Sequence, residues 1–245
     1  MCIVALHAPS VARAADSIVL VTPVNTVDTV ISEVIVREAY RRLGISVTIK
    51  KYPGERALRL ADAGKVDGEV QRIDGIAKNY PNLIQIKPAI NFIAGTVFTK
   101  AVKFQVEGWQ SLRPYRIGYV RGIKFAERNT EGMNALPAKD YSNLIRMLDK
   151  GRVDIAVSPS VNGWYQIRKM GAEGISDLSP PIMKFDLFHY LHKKHAALAP
   201  RISEVFMQMK KSGELSAFRR RVVSTMLERA AKGLPLCDKD YACFE

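Results

Sequence analysis

One strand-like segment of this chain carries charged residues where a buried strand would be expected to stay apolar. Residues 66–73 read VDGEVQRI, so Glu69, Gln71 and Arg72 stand near its carboxyl end. Burying such side chains costs free energy unless they pair with each other or face a cleft. An arginine fork can hold a carboxylate or phosphate through two parallel hydrogen bonds. Arg72, steadied by Glu69, is therefore predicted to bind an anion. The alternative is an internal ion pair of Glu69 with Arg72 or Arg56, without a role in ligand binding.

Polar residues that follow the other predicted strands are further candidates, because ligands of open α/β sheets bind beyond the carboxyl ends of the strands. One of these loops is a glycine turn before a helix, which exposes backbone N–H groups to an anion. An ordinary β-to-α turn with solvated basic residues is the alternative there. The remaining predicted ligand-binding residues are Asn25, Tyr52, Arg56, Arg121, Gly122, Lys124, Ser158 and Ser160.

Motifs for catalysis are missing from the sequence. It contains no nucleophile elbow, no zinc-binding histidine pair and no phosphate loop. Glu69 or Glu173 could act as a general acid, but a lone carboxylate is weak evidence for one. Trp164 and Tyr165 could stack on a ligand or pack a helix against a sheet. We therefore predict a binding protein without catalytic residues, bound metal or cofactor.

Strand-like and helix-like segments alternate along the chain. SIVLVTP is followed by the helical pattern of TVDTVISEVIVREAYRRLG, and ISVTIKKYP is followed by GERALRLADAG. The order restarts at YRIGYVRG, and two helices close the chain after the long apolar segments INFIAGTVFTK and FDLFHYLHKK. Such alternation predicts parallel sheets covered by helices on both faces.

A short internal repeat supports two similarly built halves. ALRLADAGKVDGEV at residues 57–70 matches LIRMLDKGRVDIAV at 144–157, with Gly64 and Asp67 opposite Gly151 and Asp154. In both copies a helix must stop and feed a strand, and glycine supplies the positive φ that this needs. Two such lobes facing each other would form a cleft.

Composition narrows the classes of partner. The chain has 245 residues, 47% of them hydrophobic, and a net charge of +13, which favours an anionic partner. The basic residues are spread along the chain and no zinc-finger or RNA-binding signature accompanies them, so no nucleic-acid partner is predicted. No apolar run reaches the length of a membrane span.

Both ends of the chain favour export. An apolar run ends in the small-residue pattern Ala12-Arg13-Ala14, typical of a signal peptide, so residues 1–15 are predicted to be a signal-peptide remnant; a disordered arm is the alternative. Without that segment two cysteines remain, Cys237 and Cys243. In an oxidising compartment they predict a disulfide that staples the C-terminus, and two free thiols are the alternative.

The motifs together resemble the extracellular solute-binding proteins of family 3, the type II periplasmic binding proteins of ABC importers. The resemblance covers nearly all of residues 17–232 and rests on AGKVDGEV, KGRVDIAV, YRIGYVRG and the closing segment from LFHYLHKK to the turn SGEL. It implies a two-lobed α/β fold with a two-strand hinge. Residues 16–98 and 190–245 would form lobe 1, and residues 99–189 would form lobe 2.

Two positions depart from the amino-acid binders of that family. They usually carry an arginine for the ligand carboxylate, where this chain has Asn79 with Lys78 beside it. They also carry an aspartate for the ligand amine, where this chain has Pro159. Both contacts for a zwitterionic amino acid are therefore in doubt.

The resemblance implies a monomeric periplasmic protein that closes around a small solute and delivers it to the membrane subunits of an ABC importer. The solute is predicted to be small and anionic or amino-acid-like, because basic residues lie near the strand ends. A periplasmic sensor acting on a separate partner, or a dehydratase-type enzyme on the same fold, is the alternative.

Overall fold

The computed structural model of the protein describes residues 17–23, 26–237 and 241–244. The predicted signal peptide, residues 1–15, and the candidate Asn25 lie outside this part. The strands are β1 (Ser17–Thr22), β2 (Ser46–Lys51), β3 (Gly68–Ile73), β4 (Leu83–Thr99), β5 (Ile117–Val120), β6 (Ala135–Ala138), β7 (Ile155–Pro159) and β8 (Ser176–His192). The helices are α1 (Val27–Arg42), α2 (Gly54–Asp62), α3 (Lys124–Asn129), α4 (Tyr141–Asp149), α5 (Ser160–Met170), α6 (Ala199–Lys211) and α7 (Glu214–Ala231).

The strands form two parallel groups that are joined by two long strands. The order across the sheet is β2-β1-β3-β8-β4-β7-β5-β6. Strands β1, β2 and β3 are parallel to each other and form lobe 1, while β5, β6 and β7 are parallel and form lobe 2. This confirms the predicted two-lobed α/β fold.

Strands β4 and β8 form the hinge. They pair antiparallel from Leu83 opposite His192 to Thr99 opposite Ser176. Both strands begin earlier than the predicted apolar segments, 90–100 and 185–194. The prediction missed their first residues because prolines and polar residues interrupt the apolar pattern there. The predicted lobe boundaries, at residues 98/99 and 189/190, fall inside these two strands.

The internal repeat has the same structural role in both lobes. Gly64 and Gly151 have φ values of +68° and +64°, so each ends its helix in the left-handed region that glycine tolerates. Asp67 accepts a hydrogen bond at 2.7 Å from a backbone N–H of β1. Asp154 accepts one at 2.8 Å from the N–H just before β5. Each aspartate thus ties the start of one strand to the neighbouring parallel strand.

Helices cover both faces of the sheet. In lobe 1, α1, α6 and α7 enclose a core that includes Ile31, Phe206 and Met226, and α2 covers the other face around Val21. In lobe 2, α4 and α5 pack around Phe98, with a second cluster on the opposite face. In the described part of the chain, no helix is both long and apolar enough to cross a bilayer.

Strand β6 was absent from the predicted order of elements. Its four residues, ALPA, contain Pro137, which cannot donate a ladder hydrogen bond and is tolerated at a sheet edge. β6 is indeed the edge strand of lobe 2.

The predicted disulfide between Cys237 and Cys243 is confirmed, with the two Cα atoms 6.4 Å apart. The Tyr241 hydroxyl, inside this loop, donates a hydrogen bond to the buried Glu33 carboxylate of α1. The Arg37 guanidinium of the same helix lies 4.5 Å from the Tyr241 ring centroid. The tail therefore packs onto α1 of lobe 1.

Replacing both Cys237 and Cys243 with serine is expected to lower the free energy of unfolding by about 2 kcal/mol, as for a short cross-linked loop. Urea denaturation of the oxidised protein and of the variant would measure this loss. Reductant should lower the midpoint of the parent protein and leave the midpoint of the variant unchanged. Equal midpoints for both oxidised proteins would show that the cross-link adds no stability.

Candidate ligand-binding site between the lobes

The carboxyl ends of the parallel strands in the two lobes point toward each other. At the end of β3, Ile73 pairs with Leu187 of β8. At the end of β7, Pro159 pairs with Gly95 of β4, which in turn pairs with Met183 of β8. Met183 and Leu187 are four positions apart on β8, so the two rows are separated by about 13 Å along the hinge. This is where ligands of open α/β sheets bind.

Arg72 and Glu69 form a buried ion pair on the lobe 1 side. The Arg72 Nη2 atom donates to Glu69 Oε1 at 2.8 Å and to the Gly54 carbonyl oxygen at 2.9 Å. A β-bulge between Glu69 and Arg72 lets two residues of opposite strand parity meet on one side. The internal pair considered from sequence is thus present, and ligand binding by Arg72 stays a prediction.

Burial dominates the electrostatics of this pair. Glu69 is fully buried, and the Arg72 side chain is 15% exposed. Desolvation raises the pKa of Glu69 to about 7, and the positive charge of Arg72 opposes part of that rise. Among the described residues, Glu69 Oε2 and Arg72 Nε are buried without a hydrogen-bond partner. The pair therefore retains unused hydrogen-bonding capacity on both members.

Tyr52 and Arg56 lie on the same lobe. The backbone N–H of Tyr52 donates to the Thr22 carbonyl at the end of β1, with a distance of 3.1 Å. The Arg56 guanidinium lies 5.0 Å from the Tyr52 ring centroid, in cation–π geometry. Both residues thus stand beside the carboxyl ends of β1 and β2, and their ligand contacts stay a prediction.

In lobe 2, a carboxylate of the chain itself uses two of the donors predicted to bind an anion. Gly122 has φ +90°, and its N–H donates to Glu127 Oε1 at 2.6 Å. Lys124 Nζ donates to Glu127 Oε2 at 2.8 Å. The hydrogen bonds from Lys124 and Gly122 lower the pKa of Glu127. Glu127 follows Lys124 by three residues in a short helix, and this spacing was the sequence signal for their ion pair. Arg121, the residue before Gly122, is exposed.

The two serines that follow the repeat strand differ in exposure. Ser158 is fully buried, and its hydroxyl donates to the Pro159 carbonyl at 3.0 Å. Ser160 is half-buried at the start of α5. This geometry does not test whether Ser158 or Ser160 binds a ligand, so both contacts stay predictions.

A buried hydrogen-bonded contact between the lobes involves residues that sequence reasoning missed. Asp28, at the start of α1, accepts hydrogen bonds from Thr26 at 2.7 Å and from Gln71 at 3.2 Å. Asn162 of α5 donates to the same carboxylate at 2.7 Å, and its oxygen accepts the Val27 N–H at 2.9 Å. Asp28 and Asn162 are 6% and 4% exposed. One buried carboxylate therefore joins α1, β3 and the first turn of α5.

This contact continues into the hinge. Asn91 of β4 donates to the Ser32 hydroxyl and to the Asp28 carbonyl, each at 3.0 Å. Ser32 donates to Gln71, and Arg219 of α7 donates to Asn91. We call Asp28, Asn162, Gln71, Ser32, Asn91 and Arg219 the Asp28 network. Burial lowers the pKa of Arg219, while the charge of Asp28 opposes this shift.

The two aromatic residues of α5 pack against protein. Trp164 meets Phe98 of β4 edge-on, with ring centroids 5.7 Å apart. Tyr165 packs against the lobe 1 core. Both residues thus contribute to helix packing, which is one of the two roles considered from sequence.

Comparison with solved structures places this architecture among known folds. The probable amino-acid ABC transporter extracellular-binding protein from Bacillus subtilis superposes with a TM-score of 0.71 at 14% identity, covering 86% of this chain and 99% of that one. A histidine kinase sensor domain with similarity to periplasmic binding proteins gives 0.65 at 18% identity, covering 85% and 97%. The chain has the type II periplasmic binding protein fold.

Comparison of sequences says less about this chain than comparison of structures. An uncharacterized protein of Shewanella oneidensis is 26% identical over 210 residues, which cover 81% of this chain and 78% of that protein. No protein-family profile matches the chain.

Proposed function

We propose that the protein is a periplasmic solute-binding protein that closes its two lobes around a small anionic or amino-acid-like ligand and delivers it to an ABC importer. The supporting observation is the convergence of the β3 and β7 ends, about 13 Å apart along the hinge. A separation of that size between the strand ends of two lobes suits a small solute. The amino-acid transporter binding protein from Bacillus subtilis has the same fold.

The residues near these ends favour an anionic group on the ligand. Arg72 carries a guanidinium at the lobe 1 side, and Arg56 lies at the amino end of α2 on the same lobe. Pro159 ends β7 and supplies no carboxylate for a ligand amine. Asn79, in an exposed turn, supplies no charge for a ligand carboxylate, so Arg72 takes that role in this proposal.

Closure follows from contacts on both sides of the gap. A ligand held first by lobe 1 gains further contacts when lobe 2 approaches, and the difference in free energy stabilises the closed state. Strands β4 and β8 connect the lobes and absorb the rotation. An importer would recognise the closed form.

Replacing Arg72 with alanine is expected to weaken ligand binding about tenfold or more, because a charged hydrogen bond is lost. A thermal-shift screen of amino acids, dicarboxylates, polyamines and sugar acids would first identify a stabilising compound. Calorimetric titration of that compound would then compare the parent protein with the variant.

Arg59→Ala is the matched control for this titration. Arg59 lies on α2 with its side chain 75% exposed and pairs with Glu55 on the surface. Its removal should leave affinity unchanged. Unchanged affinity in the Arg72 variant would remove Arg72 from the site, and the Glu69 ion pair would be its whole role.

A sensor function is the second candidate, because a histidine kinase sensor domain shares the fold. In that case a separate partner protein would read the closed state. Variants of the protein surface that keep ligand binding but abolish the partner's response would identify the sensor. Chemical turnover of a stabilising compound would instead identify an enzyme.

A further inference from the structure

A second pocket lies where both lobes and the C-terminal tail meet. It has a volume of about 350 Å³, within the range of small-molecule sites. Thr26 and Val27 of lobe 1, Tyr141 and Tyr165 of lobe 2, and Leu236 of the tail contribute to its wall. None of the described residues predicted to bind the ligand of the cleft lines this pocket. Asn162 of the Asp28 network also lines the pocket, which therefore adjoins the contact between the lobes but shares none of the described residues predicted for the cleft ligand.

The wall of this pocket suits a flat apolar group. Tyr141 and Tyr165 supply two aromatic rings, and Val27, Pro235 and Leu236 supply aliphatic surface. Aromatic side chains favour stacked or edge-on contacts with another ring. Each of the three parts of the chain contributes at least one of these apolar residues.

Polar groups at the pocket favour a negative charge on that ligand. Of its described lining residues, Lys169 alone is charged at neutral pH, and its Nζ atom lies 6.0 Å from the Tyr165 ring centroid. The Tyr141 hydroxyl accepts a hydrogen bond from Asn162 at 3.4 Å. Asp28 is not part of the wall, but its negative charge acts on the Tyr141 hydroxyl, so the ligand carboxylate is placed beside Lys169 and away from that hydroxyl.

We propose that this pocket is a second binding site, for a small aromatic carboxylate whose ring lies between Tyr141 and Tyr165 and whose carboxylate faces Lys169. The proposal does not depend on the identity of the ligand in the cleft. A molecule bound here contacts lobe 1, lobe 2 and the tail together.

Calorimetric titration with phenylacetate and indole-3-acetate tests the proposal on the full chain. Saturable binding with a dissociation constant of about 1 mM or lower is expected. Phenylacetamide, which keeps the ring and lacks the charge, should bind about tenfold more weakly, and so should phenylacetate to the Lys169→Ala variant. Lys169→Arg should retain binding.

Two controls separate this pocket from other basic sites. Arg168→Ala removes the neighbouring charge of α5, which faces a different pocket, and Arg72→Ala alters the cleft. The Arg168 variant should bind phenylacetate as the parent protein does. If the Arg168 variant lost as much affinity for phenylacetate as the Lys169 variant, the effect would come from net charge alone. If the Arg72 variant lost affinity, the probe would bind in the cleft. Absence of saturable binding up to about 10 mM would also overturn the proposal.

Discussion

Replacing Asp28 with alanine is expected to lower the free energy of unfolding by about 3 kcal/mol. The buried donors of Gln71 and Asn162 would lose their shared acceptor, and each unsatisfied group costs free energy in a site closed to water. Because Asn162 belongs to lobe 2, the packing of the two lobes should loosen as well. Urea denaturation followed by circular dichroism would measure the loss.

Two further variants sharpen this experiment. Asp28→Asn keeps the shape and one acceptor oxygen, so its loss should be clearly smaller than that of the alanine variant. Asp177→Ala, at an exposed position of β8, should change the free energy of unfolding by about 0.5 kcal/mol or less. If the Asp28 and Asp177 variants were equally stable, the Asp28 network would not hold the lobes together.

Glu69 is expected to make folding stability fall as pH rises from about 4.5 to about 7. Burial raises the pKa of Glu69 to about 7, against an ordinary value of 4.5. The folded protein therefore keeps a proton that the unfolded chain releases. The stabilisation is complete below pH 4.5 and is lost as pH passes through 7.

Comparison with Glu69→Gln isolates this effect, since glutamine cannot ionise. The difference in unfolding free energy between the parent protein and the variant should change by about 3 kcal/mol across that range. Buried His189, whose pKa is lowered to about 4, acts in the opposite direction in both proteins and cancels in the difference. Exposed Glu131→Gln controls for the loss of one negative charge. A difference that is constant between pH 4.5 and 7.5 would contradict the expectation.

The architecture was predictable because its signals are local. The repeat around Asp67 and Asp154 places a helix stop and a strand start within a few residues, and the structure uses both aspartates to tie parallel strands. The predicted disulfide follows from two cysteines six positions apart. Strand lengths were harder to predict, because β8 begins with a polar segment that contains prolines.

The contact between the lobes was not predictable in the same way. Asp28 and Asn162 are 134 positions apart, and each alone reads as an ordinary polar residue at the start of a helix. Only their meeting in the fold creates a buried carboxylate with several donors. Glu69 and Arg72 stood out in the sequence because charged residues in a buried strand violate a local pattern, whereas Asp28 violates none.

The docked tail bears on how the protein should be produced in the laboratory. Tyr241, between the two cysteines, contacts α1, so a purification tag placed behind this segment would follow a docked part of the chain. Recombinant synthesis in a reducing cytosol keeps both thiols free, whereas secretion through an oxidising compartment forms the cystine. Samples from the two routes would therefore differ in the cross-link that holds Tyr241 near α1, and crystallisation trials should begin with the oxidised form.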